Sequence, residues 1–148
     1  MSTQSIFIVI ISSFFLVSGS SFAQTISPEG AQAYIISPID GEKTTGPVTV
    51  VFGLKGMGVA PAGIDKPNTG HHHLLIDVED SPALDKPLPA NANHKHFGGG
   101  QTEITIELSP GKHTLQLIMG DKGHIPHSPP VMSKITTIIV KWQLSRPR

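Results

Sequence analysis

The chain has 148 residues, a formal net charge of zero, and eleven Lys and Arg without a basic run. That scatter excludes a surface able to neutralise consecutive phosphates, and so argues against a nucleic-acid partner. The absence of cysteine rules out disulfide staples and a lipid anchor on cysteine, and it means that any metal site must be built without thiolate donors.

Along the chain, Ile6 to Val17 is an almost unbroken apolar run followed by Ser21-Phe22-Ala23. This pattern predicts a secretory signal, residues 1–23, cut after Ala23. No Lys or Arg precedes Ile6, a departure from the usual leader, but the run is short for a spanning helix, which needs roughly 20 residues. A periplasmic or secreted location is therefore expected, with no membrane segment after cleavage. Gln24 to Arg148 suits a single domain, with a core over about residues 33–142.

Thirteen prolines and fifteen glycines divide the remainder into short β-type runs, and no segment keeps a helical period. Tyr34-Ile35-Ile36 reads as a strand ending in the turn Ser37-Pro38-Ile39-Asp40-Gly41. Val48 to Leu54 puts Val48, Val50, Phe52 and Leu54 on one face by the period of two. Lys55 to Gly70 reads as a long loop. His71 to Val78 follows, with His72, Leu74, Ile76 and Val78 inward and His71, His73, Leu75 and Asp77 on the other face. Glu79 to Asn93 is a proline-broken connection. Thr102 to Leu108 points Ile104, Ile106 and Leu108 inward. After the turn Ser109-Pro110-Gly111 comes Lys112 to Met119, with Leu115, Leu117 and Met119 inward, then a loop over Asp121 to Pro130 and a last strand, Ile135 to Trp142. These runs predict an all-β fold: an immunoglobulin-like antiparallel β-sandwich of about seven strands, with a small barrel as the alternative.

All eight histidines fall between His71 and His127. If consecutive strands alternate in direction, the start of His71–Val78, the segment just before Thr102–Leu108 and the loop after Met119 share one pole. Seven histidines then gather there, and His113 alone lies at the opposite end. Residues two apart in a strand lie about 6.8 Å apart on one face, so His71 with His73, and His94 with His96, can each aim two ring nitrogens at one ion. His124 and His127 can do so from a turn. The expected metal ligands are thus His71, His73, His94, His96, His124 and His127, and the expected ion is copper or zinc, which imidazole suits. Met57, Met119 and Met132 fall near the same pole and tilt the expectation toward copper.

The remaining candidates read as structural. His72 shares a face with Leu74 and Ile76 and is expected as a hydrogen-bonded histidine at the core edge. His113 follows a Pro-Gly turn, where sandwich folds place a side chain that bonds back to the backbone. Asp77 and Asp121 are candidates for orienting imidazoles, though turn and strand-end aspartates commonly serve their own backbone. Gly98-Gly99-Gly100 either admits a close backbone approach or supplies flexibility before a strand. No nucleophile-elbow, zinc-protease or phosphate-loop motif is present, and no catalytic residue is assigned. GHHHLLID and HKHFGGG bear a faint likeness to copper–zinc superoxide dismutases, but that family's disulfide is impossible without cysteine and its other signature segments are missing.

Four segments carry a more specific likeness: SPIDGEKTTGPVTVVFGLKGMGVAPAG, NTGHHHLLID, HKHFGGGQTEITIELSPGKHTLQLIMGD and HIPHSPPVMSKITTIIV. With them the chain resembles bacterial domain-of-unknown-function family 4399. The resemblance implies an exported, single-domain, Ig-like β protein; it brings no substrate and no ligand set. Two functions follow from the residues. One is an exported metal-binding protein with a binding or delivery role and room for a periplasmic protein partner. The other is a metal-free interaction module whose histidines form a structural hydrogen-bond network.

Overall fold

The computed structural model describes residues 24–142; the expected leader, residues 1–23, lies outside them. Nine strands and no helix occur among the described residues: β1 Gln32–Ser37, β2 Lys43–Thr45, β3 Val48–Lys55, β4 Gly58–Val59, β5 Thr69–Ile76, β6 His94–His96, β7 Glu103–Ile106, β8 Gly111–Gly120 and β9 Thr136–Lys141. They form a three-stranded sheet, β1-β3-β7, and a six-stranded sheet in which β2, β9, β8, β5 and β4 follow in order and β6 adds to β5. All pairings are antiparallel except the short β2·β9 and β4·β5 contacts. The fold is all-β, as expected.

Period-two patterning explains how the sheets face each other. Val48, Val50 and Phe52 of β3 and Ile106 of β7 meet Leu74 and Ile76 of β5, Leu115, Leu117 and Met119 of β8, and Ile138 and Val140 of β9 in one buried cluster. Each of these runs turns alternate apolar side chains to the other sheet, which is the usual way a sandwich buries its core. Burying a Leu or Val side chain contributes about 1.5–3 kcal/mol, so this interleaved set dominates the stability of the fold.

The six strand segments expected from the sequence are present; β2, β4 and β6 are additional. Each of the three is two or three residues long, too short for an alternation to register. Strand β4 interrupts the stretch expected as one loop from Lys55 to Gly70, and it pairs with Thr69 and Gly70.

Strand β5 is buried from Gly70 to Ile76 on both faces. Its inner face joins the main core. On its outer face Leu75 meets Ile118, Leu88, Leu84, Val78 and Met132 in a second cluster, because the Glu79–Asn93 connection folds back over the six-stranded sheet. The amide of Leu88 donates to the carbonyl of His124 at 2.9 Å, which brings that connection to the far end of the strand.

Candidate metal centre

Two antiparallel pairings inside the six-stranded sheet fix the centre. Strand β5 runs opposite to both β6 and β8. The start of β5, the end of β6 and the end of β8 therefore share one edge of the sheet. Register then sets the face. His73 lies opposite His96 on β6 and Ile118 on β8, and His71 lies opposite Gly120. Directly opposed residues project to the same side, so His71, His73 and His96 share a face and Gly120 leaves a gap beside them. The turn after β8 drops His124 into that gap.

The structure brings together His71, His73, His96 and His124, each offering one ring nitrogen, with all four nitrogens within 4.8 Å of one another. His73 Nε2 and His71 Nε2 are 3.0 Å apart, and His71 Nε2 and His124 Nδ1 are 3.1 Å apart. Ring centroids are separated by 4.7–6.0 Å across the six pairs. Around a tetrahedral ion with Zn–N bonds of 2.0–2.1 Å, donors would stand roughly 3.3 Å apart. The two short separations are near that spacing and the rest lie within 4.8 Å, so the four rings could hold an ion.

Glycines make the space. A Cβ on Gly98 would overlap the His96 ring, and one on Gly120 would stand 3.0 Å from His73 Nε2 and 3.3 Å from the His124 Cα. The triple glycine therefore serves close approach at its first member. His124 itself has φ 67°, a left-handed conformation unfavourable for a residue with a Cβ and often associated with functional sites.

Burial keeps the inner rings neutral. His71 is 0% exposed and His73 1%, whereas His96 is exposed and His124 is half-buried. Desolvation, reinforced by the neighbouring imidazoles His124 and His96, lowers the pKa of His71 from 6.5 to about 4, with the carboxylate of Asp121 opposing the shift. Desolvation, then His71, His96 and His124, lowers His73 to about 3. His96 is lowered by the same two causes, burial first and His124 second. Neutral imidazole is the form that ligates.

Hydrogen bonding alone does not account for the group. A neutral imidazole has one N–H and one lone pair, each directed along one line in the ring plane. His71 Nε2 is approached by both His73 Nε2 and His124 Nδ1, and one nitrogen cannot serve both well. The Nδ1 atoms of His71 and His73 are buried without a hydrogen-bond partner, so packing and not outer hydrogen bonds orients these rings.

Two expected ligands are placed elsewhere. His94 stands on β6 opposite Leu75, one full pleat away from the centre, and its Nδ1 contacts Asn91 Oδ1 at 3.1 Å. The H-x-H spacing put both rings on one face, but only His96 reaches the edge where the others meet. His127 is fully buried, and its Cε1 would touch a Cβ on Gly70. Gly70 alternates with His71 and shares its face with His72, so His127 fills the core side of the strand. Its Nε2 lies 3.2 Å from the Thr69 carbonyl and its Nδ1 3.5 Å from that of Met119.

The methionines do not join the site either. Met119 lies opposite His72 and belongs to the main core, Met57 packs against that core, and Met132 joins the outer apolar cluster. Nothing in the ring set itself therefore favours copper over zinc.

The structural readings divide. His113 Nε2 bonds back to the Ser109 carbonyl at 2.7 Å and Nδ1 to Asp77 Oδ2 at 2.7 Å. Its partner Asp77 also accepts the Thr114 amide at 2.8 Å and is committed to that end of the sheet. His72 is 1% exposed, 5.1 Å from the Phe52 ring, and neither of its ring nitrogens has a hydrogen-bond partner. That differs from the expected hydrogen-bonded residue: burial lowers its pKa to about 4, and the Gln101 backbone opposes the shift without reaching hydrogen-bond geometry. A surface groove of about 540 Å³ lies around Asp77, Lys95 and His113, and none of the four clustered rings lines it.

Residues 50–141 match the family described as Domain of unknown function (DUF4399). The chain belongs to that family. No curated protein matches it, and neither does any solved structure. The DUF4399 span holds all four rings, together with Gly98 and Gly120.

Proposed function

We propose that this DUF4399 protein binds a transition-metal ion, copper or zinc, through His71, His73, His96 and His124, and that it acts in binding or delivery. The observation that carries the reading is the convergence of four ring nitrogens within 4.8 Å, two of them on fully buried rings. A cation placed among these nitrogens accepts every lone pair at once and removes the conflict at His71 Nε2. Imidazole donors suit copper and zinc over calcium or magnesium, which take oxygen ligands. The apolar run and small-residue pattern of residues 1–23 support a periplasmic or secreted setting.

The metal-free network is the weaker reading. A histidine held in a hydrogen-bond network in this protein looks like His113, with both ring nitrogens on oxygen acceptors. His71 and His73 leave their Nδ1 atoms unpaired.

Titration of tag-free protein with Zn²⁺ and Cu²⁺ tests the proposal. One ion per chain is expected. The double variant His71→Ala/His73→Ala should lose binding by more than about 100-fold, since it removes half of the donors. Equal affinity in the double variant and the parent protein would end the proposal.

A further inference from the structure

The segment from Gln24 to Ser27 lies across the loop that carries His124. The amide of Ser27 donates to the Ser128 carbonyl at 3.0 Å, the amide of Ser128 donates to the Thr25 carbonyl at 2.9 Å, and Ile26 pairs with Ser128 as a parallel bridge. The Gln24 side-chain amide donates to the Leu84 carbonyl at 2.5 Å and lies 3.3 Å from that of Pro126. At the centre of this strap, Thr25 Oγ1 donates to Asp121 Oδ2 at 2.8 Å.

Asp121 is the residue through which the strap reaches the metal centre. It is buried, and its second carboxylate oxygen accepts the amides of Gly123 at 2.8 Å and Ile125 at 3.0 Å, the residues on either side of His124. The main chain closes the same turn, with the His124 amide on the Asp121 carbonyl at 2.9 Å and the Asp121 amide on the Ile125 carbonyl at 2.8 Å. The left-handed φ of His124 is the conformation this closure imposes. A residue with a Cβ stays there only while its surroundings hold it. The other half of the centre needs no such device, because His71 and His73 lie on a strand paired along both edges.

We propose that Thr25 and Asp121 are positioning residues that latch His124 against the ion, so that the Gln24–Ser27 strap sets how long a bound ion stays. The inference rests on the metal-binding reading and deepens it: three donors hold the ion, and the latch decides whether the fourth keeps hold. Removing the Thr25 hydroxyl frees one carboxylate oxygen, slackens the turn and lets His124 leave its left-handed conformation. The carboxylate also places a negative charge near neutral rings that would carry a divalent cation, so Asp121 acts on affinity as well as on release.

The test follows release of Zn²⁺, and separately of Cu²⁺, to a chromophoric chelator by stopped flow, with the protein carrying residues 24–148. Thr25→Val should release metal about tenfold faster at unchanged stoichiometry, the range in which outer partners of ligands act. Thr25→Ser, which keeps the hydroxyl, should match the parent protein. Asp121→Asn keeps the shape and removes the charge, and should weaken affinity about tenfold. His113→Gln serves as the control for a fold loosened away from the site, and its release rate should be that of the parent. Equal release rates for Thr25→Val and the parent, with binding abolished in His71→Ala/His73→Ala, would overturn the latch and leave the metal site standing. Faster release in His113→Gln, matching that of Thr25→Val, would reduce Thr25 to a general stabiliser and also overturn it. A parent protein that takes up neither ion removes both.

Discussion

Strand β8 carries a histidine environment at each end, and the two are built on opposite principles. Near its start, His113 gives both ring nitrogens to oxygens, the Ser109 carbonyl and the Asp77 carboxylate. Burial opposes its charge, but the Asp77 hydrogen bond, the Ser109 carbonyl and the Asp77 charge together outweigh burial and raise its pKa. Beyond its other end, roughly 24 Å away along the strand, His71, His73, His96 and His124 give nitrogens to one another, and the inner rings are driven toward neutrality. The contrast separates a histidine that holds the fold from a group of rings that could hold a metal ion.

The largest effect that could break this contrast is the loss of metal binding in His71→Ala/His73→Ala described above, against no change in affinity for His113→Gln. Next, Gly120→Ala places a methyl group about 3.0 Å from His73 Nε2, and it should lower zinc affinity by about tenfold while leaving the β spectrum intact. Interiors packed this closely do not absorb an added methyl without displacement. Isothermal titration of the variant checks it.

Stability against pH sharpens the contrast further, because its two sides have opposite signs. Rings whose folded pKa is depressed stabilise the fold above the ordinary value of 6.5. In the metal-free protein that contribution is lost as pH falls from about 6.5 toward 4 for His71 and toward 3 for His73, since the unfolded chain takes up protons first. His113, with a raised folded pKa, stabilises the fold below 6.5, and its contribution is lost as pH rises through that raised value. Chemical unfolding of His113→Gln should therefore show a loss of about 1–2 kcal/mol at pH 6 and a smaller loss at pH 8. The smallest effect is expected from His94→Ala, whose ring contacts Asn91: zinc affinity should stay within about twofold of the parent, measured in the same titrations.

Much of this arrangement is legible in the residues themselves. The alternation in β3, β5, β7 and β8 gives the two-sheet core, because period two decides which side chains face inward. Strand direction gives the shared pole of His71, His73, His96 and His124. What the residues could not give is depth along a strand. His94 and His96 have equivalent spacing, and only the β5·β6 register puts one at the edge and the other a pleat away. His127 was expected beside His124, but the turn after β8 reverses sharply enough to send it to the core side, into the space Gly70 leaves. The methionines miss the site for a related reason: a shared pole is not a shared face, and Met119 points away from the rings. The gap at Gly120 had no trace in the pattern around it, since a terminal glycine reads equally well as the end of a strand.

The unequal exposure of the four rings gives the centre a front and a back. His71 and His73 are sealed at the rear, and His96 stands in solvent. In the proposed metal-bound form, an acceptor would approach from the side of His96 and His124, and the sealed pair His71 and His73 would let go last.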